Sequence, residues 1–279
     1  DKNDKLRGIE EHRYPRKDKM NNDIVDEMKF LKLYKNRLEG HQLNYYENIS
    51  LLGGISNDEE LLQSSNIIYP SMEDSIFNTG EEGFNNVFEK TKKSFKYKSN
   101  ILKKYGPILH KDNIKDFSSK LSTILDIIDN SDGIILIYSK YLWSGLVPLS
   151  LALEHFGFNN YKSNLLDSDK KMKNKKLNYV LFTSNKLITP YTDTEKKELF
   201  STFNSSENKD GKNIKIILTN ISEGLDLKRI REVHILDPWY HLNEREQIIG
   251  RGIRFCSHKD LNSEKRNVTI YLHVSFIND

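Results

Sequence analysis

The chain has 279 residues, of which 37% are hydrophobic and 30% are charged. This composition is enough for a core, carries too many charges for a membrane protein, and contains no apolar run near the roughly 20 residues of a spanning helix. Acids and bases nearly balance at a net charge of +3, which by itself is weak support for a nucleic-acid partner. The single cysteine, Cys256, excludes an internal disulfide and a cysteine-rich zinc site and is typical of a reducing compartment. We therefore expect an intracellular protein without a membrane partner.

The amino-terminal part of the sequence, residues 1–130, is predicted to be mainly helical. It begins at Asp1 rather than Met and has no apolar leader segment, so we interpret the sequence as a piece of a longer protein. Ile24, Met28 and Leu31 have helical spacing, and another amphipathic helix is predicted over 117–128. We expect this region to pack as helices without a sheet of its own and to act as an inter-lobe or accessory region.

From residue 131 to 279 the pattern changes to short apolar runs separated by helical stretches. That alternation predicts an α/β domain with a doubly wound, mainly parallel sheet and helices on both faces. The predicted strands are 134–138, 179–183, 214–219, 233–236 and 268–274, and the predicted helices are 146–155, 193–203 and 244–255. The lysine-rich stretches 90–104 and 170–176 are interpreted as a solvated helix face and an exposed loop.

The most informative segment is 243–254, which reads NEREQIIGRGIR and follows a predicted strand. Asn243 and Glu246 form a capping-box pattern, which predicts that a helix begins there. Gln247, Arg251 and Arg254 then lie at i, i+4 and i+7 on one face. Two guanidinium groups and an amide on one face suit a polyanion such as a triphosphate. Two glycines inside this helix, at 250 and 252, indicate close approach of another group to the backbone.

A second segment, 219–226, reads TNISEGLD and follows the apolar strand 214–218. It places hydroxyls, a glycine and a carboxylate where we expect the carboxyl ends of the strands, the edge at which α/β sheets bind ligands. Gly224 would let the backbone reach a phosphate, and Asp226 could accept a hydrogen bond from a ribose hydroxyl. Taken alone, the segment is more typical of a β-turn with a helix cap than of a ligand site.

Together these segments resemble the second RecA-like domain of superfamily 2 helicases. Residues 219–226 are similar to motif V, residues 247–254 are similar to the Gln-x-x-Gly-Arg-x-x-Arg pattern of motif VI, and 134–139 resembles motif IV. The combination SEGLD, HILDPWY, QIIGRGIR and CSH resembles the helicase-like ATPases of large DNA viruses, in the group of the poxvirus early transcription factor and nucleoside triphosphatase. The resemblance extends from about Leu31 onward.

The resemblance implies a role for each matching residue. Arg251 and Arg254 would act as arginine fingers on the γ-phosphate of ATP, Gln247 would position that phosphate, and Gly224, Asp226 and Gly250 would contribute to the nucleotide site. Ser139, Thr183 and Thr219 would lie along the nucleic-acid backbone. Four residues separate Thr219 from Gly224, where motif V often has five, so Ser222 competes with Thr219 for the phosphate contact. No metal is expected on this part of the protein alone.

The sequence contains no Gly-x-x-x-x-Gly-Lys-Ser/Thr phosphate loop. We therefore expect ATP and Mg²⁺ to be held mainly by an N-terminal RecA-like lobe outside this sequence, and this piece to be inactive alone. The expected function is the C-terminal lobe of an ATP-dependent helicase or a double-strand translocase acting on DNA or RNA. The expected partners include that lobe and a viral transcription machinery, with virion or host cytoplasm as the location. The alternative is a non-catalytic RecA-like scaffold in a viral transcription or packaging assembly.

Overall fold

The structure is a computed structural model that describes residues 31–51, 58–73, 75–167, 177–186, 188–189, 191–221, 225–238, 242–253 and 256–277, with the backbone alone for 242–245. Its centre is a seven-stranded, entirely parallel sheet with the strand order β1-β11-β10-β6-β9-β8-β7. The strands are β1 (Leu31–Arg37), β6 (Ile134–Tyr138), β7 (Asn159–Asn160), β8 (Asn178–Phe182), β9 (Ile214–Thr219), β10 (Ile230–Ile235) and β11 (Thr269–Phe276).

Helices cover both faces of this sheet. One face packs against α6 (Ser119–Asp129) and α7 (Val147–His155), and the other packs against α8 (Asp193–Phe203) and α9 (Leu242–Gly252). The strand side chains alternate between the two cores, so Ile135 and Ile137 join the first while Ile134 and Leu136 join the second. The predicted α/β, doubly wound parallel fold is confirmed.

Strands β6 and β9 and helix α8 occupy the predicted residues, and the other predicted strands differ by one to three residues at their ends. Helix α9 begins at Leu242, so Asn243 is already inside the helix and is not its cap. A π-helical turn, Leu142–Leu146, precedes α7 and contains non-helical torsion angles at Ser144. None of the helices among the described residues is long and apolar enough to cross a bilayer.

The helical prediction for the first described residues is wrong. Residues 31–37 form β1, which pairs with β11 over its whole length. Leu31 and Leu33 alternate along the strand and pack against the core on the α8 and α9 side. Over seven residues their spacing fits period 2 as well as helical spacing, and pairing with a distant strand decides between them. Ile24 and Met28 lie outside the described residues.

The rest of the amino-terminal region consists of helices and two antiparallel hairpins, β2–β3 and β4–β5, so the expectation that it has no sheet is also wrong. Strands of two or three residues are too short to leave a periodic signal. This region shares one hydrophobic core with the main sheet, and the division at residue 130 stays a prediction. Its other elements are α1 (Gly40–Leu51), α2 (Asp58–Asn66), β2 (Tyr69–Pro70), β3 (Phe77–Asn78), α3 (Gly80–Val87), β4 (Phe88–Lys90), β5 (Phe95–Tyr97), α4 (Ser99–Tyr105) and α5 (Ile114–Phe117).

Candidate functional site

Four neighbouring strands end at the same level on the carboxyl edge of the sheet. The register pairs Tyr138 of β6 with Thr219 of β9 and with Ile235 of β10, and Phe182 of β8 also pairs with Thr219. The loops after β10, β6, β9 and β8 therefore start side by side. Three of the predicted site residues, Ser139, Thr183 and Thr219, come together at this edge.

The hydroxyls of these three residues are buried and form hydrogen bonds within or between these loops. The Ser139 hydroxyl donates to Asp237 Oδ1 at 2.7 Å, and the Thr219 hydroxyl accepts from the Ile221 N–H at 3.0 Å. Thr183 Oγ1 lies 3.1 Å from Thr189 Oγ1 and accepts from the Asn185 N–H. Each hydroxyl shapes the backbone of its loop, and a direct contact with phosphate remains a prediction for each.

The exposed side chains at the same edge are different residues. Lys140 follows Ser139, and Ser184 and Lys186 follow Thr183, and all three are exposed. The Ser184 N–H donates to Asn220 Oδ1 at 3.4 Å, which links the loops after β8 and β9. Neither lysine was predicted as a site residue, although the position of Lys140, directly behind a buried strand, is one from which a lysine can contact phosphate.

A buried polar network fixes the loop after β10 to the loop after β6 and to α2. Besides the Ser139 hydroxyl, Asp237 accepts from the Lys140 N–H at 2.6 Å and from Asn66 Nδ2 at 3.1 Å. The Lys120 ammonium donates to Asn66 Oδ1, to Ser65 Oγ and to the Leu236 carbonyl at 2.9–3.1 Å. Asn66 therefore bridges a buried cation and a buried anion. Lys120 and Asp237 also line an open pocket of about 400 Å³.

The burial of this network shifts the pKa values of its charged groups. Burial lowers the pKa of Lys120 to about 8, although the negative charge of Asp237 opposes the shift. Burial likewise raises the pKa of Asp237 above its usual range, against hydrogen bonds from Ser139 and Lys140 and the charge of Lys120. Each charge thus depends on the other, and the network holds both loop starts in one arrangement.

Helix α9 presents the predicted face to solvent. Gln247 is exposed and Arg251, one turn later, is half-buried, whereas Ile248 is buried in the core. Ile253 follows the helix end and is half exposed, because the helix stops at Gly252 and no longer sets its direction. Arg254 lies outside the described residues.

The two glycines of α9 differ in their surroundings. A methyl group on Gly252 would come within 2.6 Å of Val233 and 3.5 Å of Ile230, so the helix end lies against the beginning of β10, as the predicted close approach requires. Gly250 has no neighbour within 4 Å of that position among the described residues. Its open surface is turned outward on the same helix.

Asp226 does not lie at the carboxyl edge with Thr219, as the sequence suggested. Its carbonyl accepts from Asn204 Nδ2 at 2.7 Å, at the end of α8 and near the start of β9. In the described part of the connection from β9 to β10, Leu225 and Leu227 are buried and Asp226 is exposed between them. Asp226 and the Arg251 end of α9 therefore both lie toward the amino edge. Ser222 and Gly224 lie outside the described residues.

The predicted site residues thus form two groups. Three lie at the carboxyl edge, and Asp226 and Arg251 lie on the α8 and α9 face near the start of β10. Strand β10, which runs from one group to the other, has six residues and is about 20 Å long. A doubly wound parallel sheet with an arginine-bearing helix after its central strands is the architecture of a RecA-like α/β domain.

Comparison with known proteins assigns the domain. Residues 150–256 match the family described as "Helicase conserved C-terminal domain", a segment that contains every predicted site residue except Ser139. The resemblance to helicases is thereby confirmed for residues 150–256, the part of the chain that matches this family.

Two curated viral proteins illustrate the relationship. The chain is 30% identical over 181 residues to "Putative ATP-dependent RNA helicase R563" of Acanthamoeba polyphaga mimivirus, covering 62% of this chain and 29% of that protein. It is 31% identical over 198 residues to "Nucleoside triphosphatase I" of Heliothis armigera entomopoxvirus, covering 70% and 26%. The chain therefore spans less than a third of either relative. The predicted similarity to the poxvirus nucleoside triphosphatase group is confirmed.

Among solved structures, the chain is similar to the "Sulfolobus solfataricus SWI2/SNF2 ATPase core in complex with dsDNA". The match has a TM-score of 0.42 and 14% identity, and it covers 90% of this chain and 42% of that one.

Proposed function

We propose that this chain is the C-terminal RecA-like lobe of an ATP-dependent nucleic-acid helicase or translocase. In this proposal Arg251 and Arg254 are arginine fingers and Gln247 positions the γ-phosphate of ATP, which a partner RecA-like lobe holds together with Mg²⁺. Mg²⁺ neutralises phosphate charge when ATP is bound. The described residues contain no cluster of three or more His, Cys, Asp or Glu side chains that could hold a metal ion.

The observation that carries the proposal is the composition of the α9 surface. Gln247 and Arg251 are one turn apart on the outward side, and Gly250 between them leaves the backbone accessible. Asp226 is exposed toward the same end of α9. A guanidinium group offers paired donors to phosphate oxygens, and an arginine finger contributes roughly 10³- to 10⁵-fold to phosphoryl transfer. Gly224 and Asp226 would complete the nucleotide contacts.

The group of residues at the carboxyl edge of the sheet would bind the nucleic acid. The loops after β6, β8 and β9 carry Ser139, Thr183 and Thr219, with Ser222 in the same connection as Thr219. Their hydroxyls hold the loop backbones, while Lys140 and Lys186 supply exposed positive charge. We propose that DNA or RNA lies along this edge through phosphate contacts. Separate surfaces for the nucleotide and the strand would let ATP turnover drive movement along it.

The test is nucleic-acid-stimulated ATP hydrolysis by the intact protein. We expect Arg251→Ala to lower kcat by at least about 10³-fold while ATP binding is retained, and Arg251→Lys to restore little because lysine lacks the paired donors. Arg231→Ala is the control, since Arg231 donates to Asn267 near the start of β10 and has no place in the proposed site. Unchanged turnover in Arg251→Ala would reject the finger role and favour the non-catalytic scaffold.

A further inference from the structure

We propose that the β4–β5 hairpin is a second, separate nucleic-acid contact, which binds the phosphate backbone through lysines. The hairpin comprises residues 88–98, and the main-chain pairing of Glu89 with Lys96 and Lys90 with Phe95 defines its register. This inference rests on the proposed function in one respect only, namely that the ligand is a nucleic acid. None of its residues belongs to the groups at the carboxyl edge or on α9.

Positive charge is concentrated in this hairpin. Residues 88–98 contain five lysines and one acid, a net charge of +4, whereas the whole chain carries +3. The remainder of the molecule is therefore close to neutral. The exposed lysines are Lys90, Lys92, Lys93 and Lys96, and none of them has an ion pair within the described part of the chain. Four lysines within seven residues repel one another, with only the exposed Glu89 opposite Lys96 to offset them, and an anionic ligand would relieve that repulsion.

The opposite side of the hairpin is a rigid anchor. Phe88, Phe95 and Tyr97 are buried, and Phe88 stacks on Phe84 with ring centroids 4.6 Å apart. The Phe95 N–H donates to the Leu165 carbonyl at 2.6 Å, which adds a third strand segment beside β5. Because the aromatic rings face the core, the exposed side has lysines and no ring on which a base could stack. That surface can recognise charge but not sequence.

Ring contacts also establish the direction in which the hairpin points. Tyr97 lies against His155 at the end of α7, with centroids 5.8 Å apart, whereas Phe95 lies against Trp143 in the turn before α7, at 6.0 Å. That turn begins shortly after β6 ends. The hairpin tip, with Lys92 and Lys93, therefore extends beyond Phe95 toward the carboxyl edge of the main sheet. A nucleic acid lying along that edge would pass close to the tip.

Lysine suits such a contact because its ammonium group is a compact charge on a flexible stem and imposes little geometric requirement. Each phosphate that a protein neutralises releases condensed counterions, so the logarithm of the binding constant falls with the logarithm of salt by about 0.9 per contact on duplex DNA. Three lysines would then contribute about 2.7 to the slope. Between 50 and 200 mM salt, their contribution to affinity would shrink about 40-fold.

The experiment measures equilibrium binding of the intact protein, without ATP, to a 30-base-pair DNA duplex and to a single-stranded RNA at several salt concentrations. The variant is Lys92→Gln/Lys93→Gln/Lys96→Gln. The matched control is Lys197→Gln/Lys209→Gln/Lys212→Gln, which removes three exposed lysines from α8 and from the segment before β9. Thermal unfolding of both variants checks that the aromatic anchor is intact.

We expect the hairpin variant to reduce the salt slope by about 2–3 on at least one probe and the control to leave it unchanged. Equal slopes for wild type and the hairpin variant would overturn the proposal. Binding of the same variants to vesicles containing phosphatidylserine is measured in parallel. Lost vesicle binding with unchanged nucleic-acid binding would also overturn the proposal and would assign the hairpin to a membrane. The readout needs no ATP turnover. Failure of the arginine-finger proposal for Arg251 can therefore be distinguished from failure of the hairpin proposal.

Discussion

Replacing Lys120 with methionine tests whether the buried network sets the geometry of the loops after β6 and β10. Methionine is also unbranched, is one atom shorter than lysine, and carries no charge. Three acceptors, Ser65 Oγ, Asn66 Oδ1 and the Leu236 carbonyl, lose their donor at once. The Asp237 carboxylate stays buried without the nearby positive charge that now favours its ionised form.

The magnitude follows from the cost of leaving a buried charge uncompensated. Removing one partner of a buried pair costs about 3–5 kcal/mol. Part of this is offset, because burying the Lys120 ammonium is itself unfavourable and lowers its pKa to about 8. We therefore expect Lys120→Met to reduce the free energy of unfolding by about 3 kcal/mol at pH 7, measured by urea denaturation with circular dichroism.

The pH dependence gives an independent check. The folded-state pKa of Lys120, about 8, is below the ordinary value of 10.5, so between these values the unfolded chain binds more protons. The contribution of Lys120 to the free energy of unfolding is complete above pH 10.5 and is lost as pH falls through 8. Wild type should gain stability relative to Lys120→Met from pH 8 to 10, by at most about 1.4 kcal/mol per pH unit.

The control is Lys115→Met on α5. The Lys115 side chain is 61% exposed and pairs with Glu39 at 2.9 Å, so its loss should change the free energy of unfolding by less than about 0.5 kcal/mol. A loss below about 1 kcal/mol for Lys120→Met at pH 7, or a gap to wild type that does not change with pH, would refute the reasoning.

Three further predictions use buried groups and glycines. Burial raises the pKa of Glu154 from 4.5 to about 7, so its contribution to the free energy of unfolding is present below pH 4.5 and is lost as pH rises through 7. This pH dependence amounts to at most about 3 kcal/mol. Urea titrations at pH 5 and 8 should show that Glu154→Gln removes it. Gly145→Ala places a methyl group 2.2 Å from the Ser139 hydroxyl and should lower stability by about 1–3 kcal/mol. Gly250→Ala adds its methyl group in open space and should raise stability by up to about 1 kcal/mol. Thermal unfolding compares the two variants, and the opposite order of stability would contradict the packing. Burial lowers the pKa of His273 well below 6.5, so stability should fall as pH drops below 6.5, and urea titrations of His273→Gln at pH 5 and 7 should show a weaker fall than wild type.

The central strands and their helices could be predicted because their burial leaves a continuous apolar run. Strands β6 and β9 are buried on both faces, and each has helices or strands on either side that make the alternation plain. Strand β1 is mostly half-buried and lies at the edge of the sheet, so its seven residues carry a mixed pattern. Its pairing with β11 depends on residues far along the chain, and local spacing contains no information about them.

The candidate site was predictable where it depends on helix periodicity. The i and i+4 spacing of Gln247 and Arg251 places both on one face in any α-helix. The position of Asp226 was missed because local spacing does not show that the chain has already reached the end of α8 at this residue. Lys120 was missed because a lysine in the first turn of a helix is ordinarily solvated and unfavourable to the helix dipole. Its burial follows from packing against α2 and β10.

The placement of β1 at the end of the sheet beside β11 has a consequence for how the chain folds. The Asn36 side chain on β1 and the Val274 carbonyl that accepts its hydrogen bond are 238 positions apart. During synthesis, β1 emerges first among the described strands and finds its partner only after every other strand has been made. Contacts of such long sequence separation slow folding, because loop closure is costly before the contact forms. We therefore expect the β6, β9 and β8 strands to assemble early and the β1–β11 edge to close last on the ribosome.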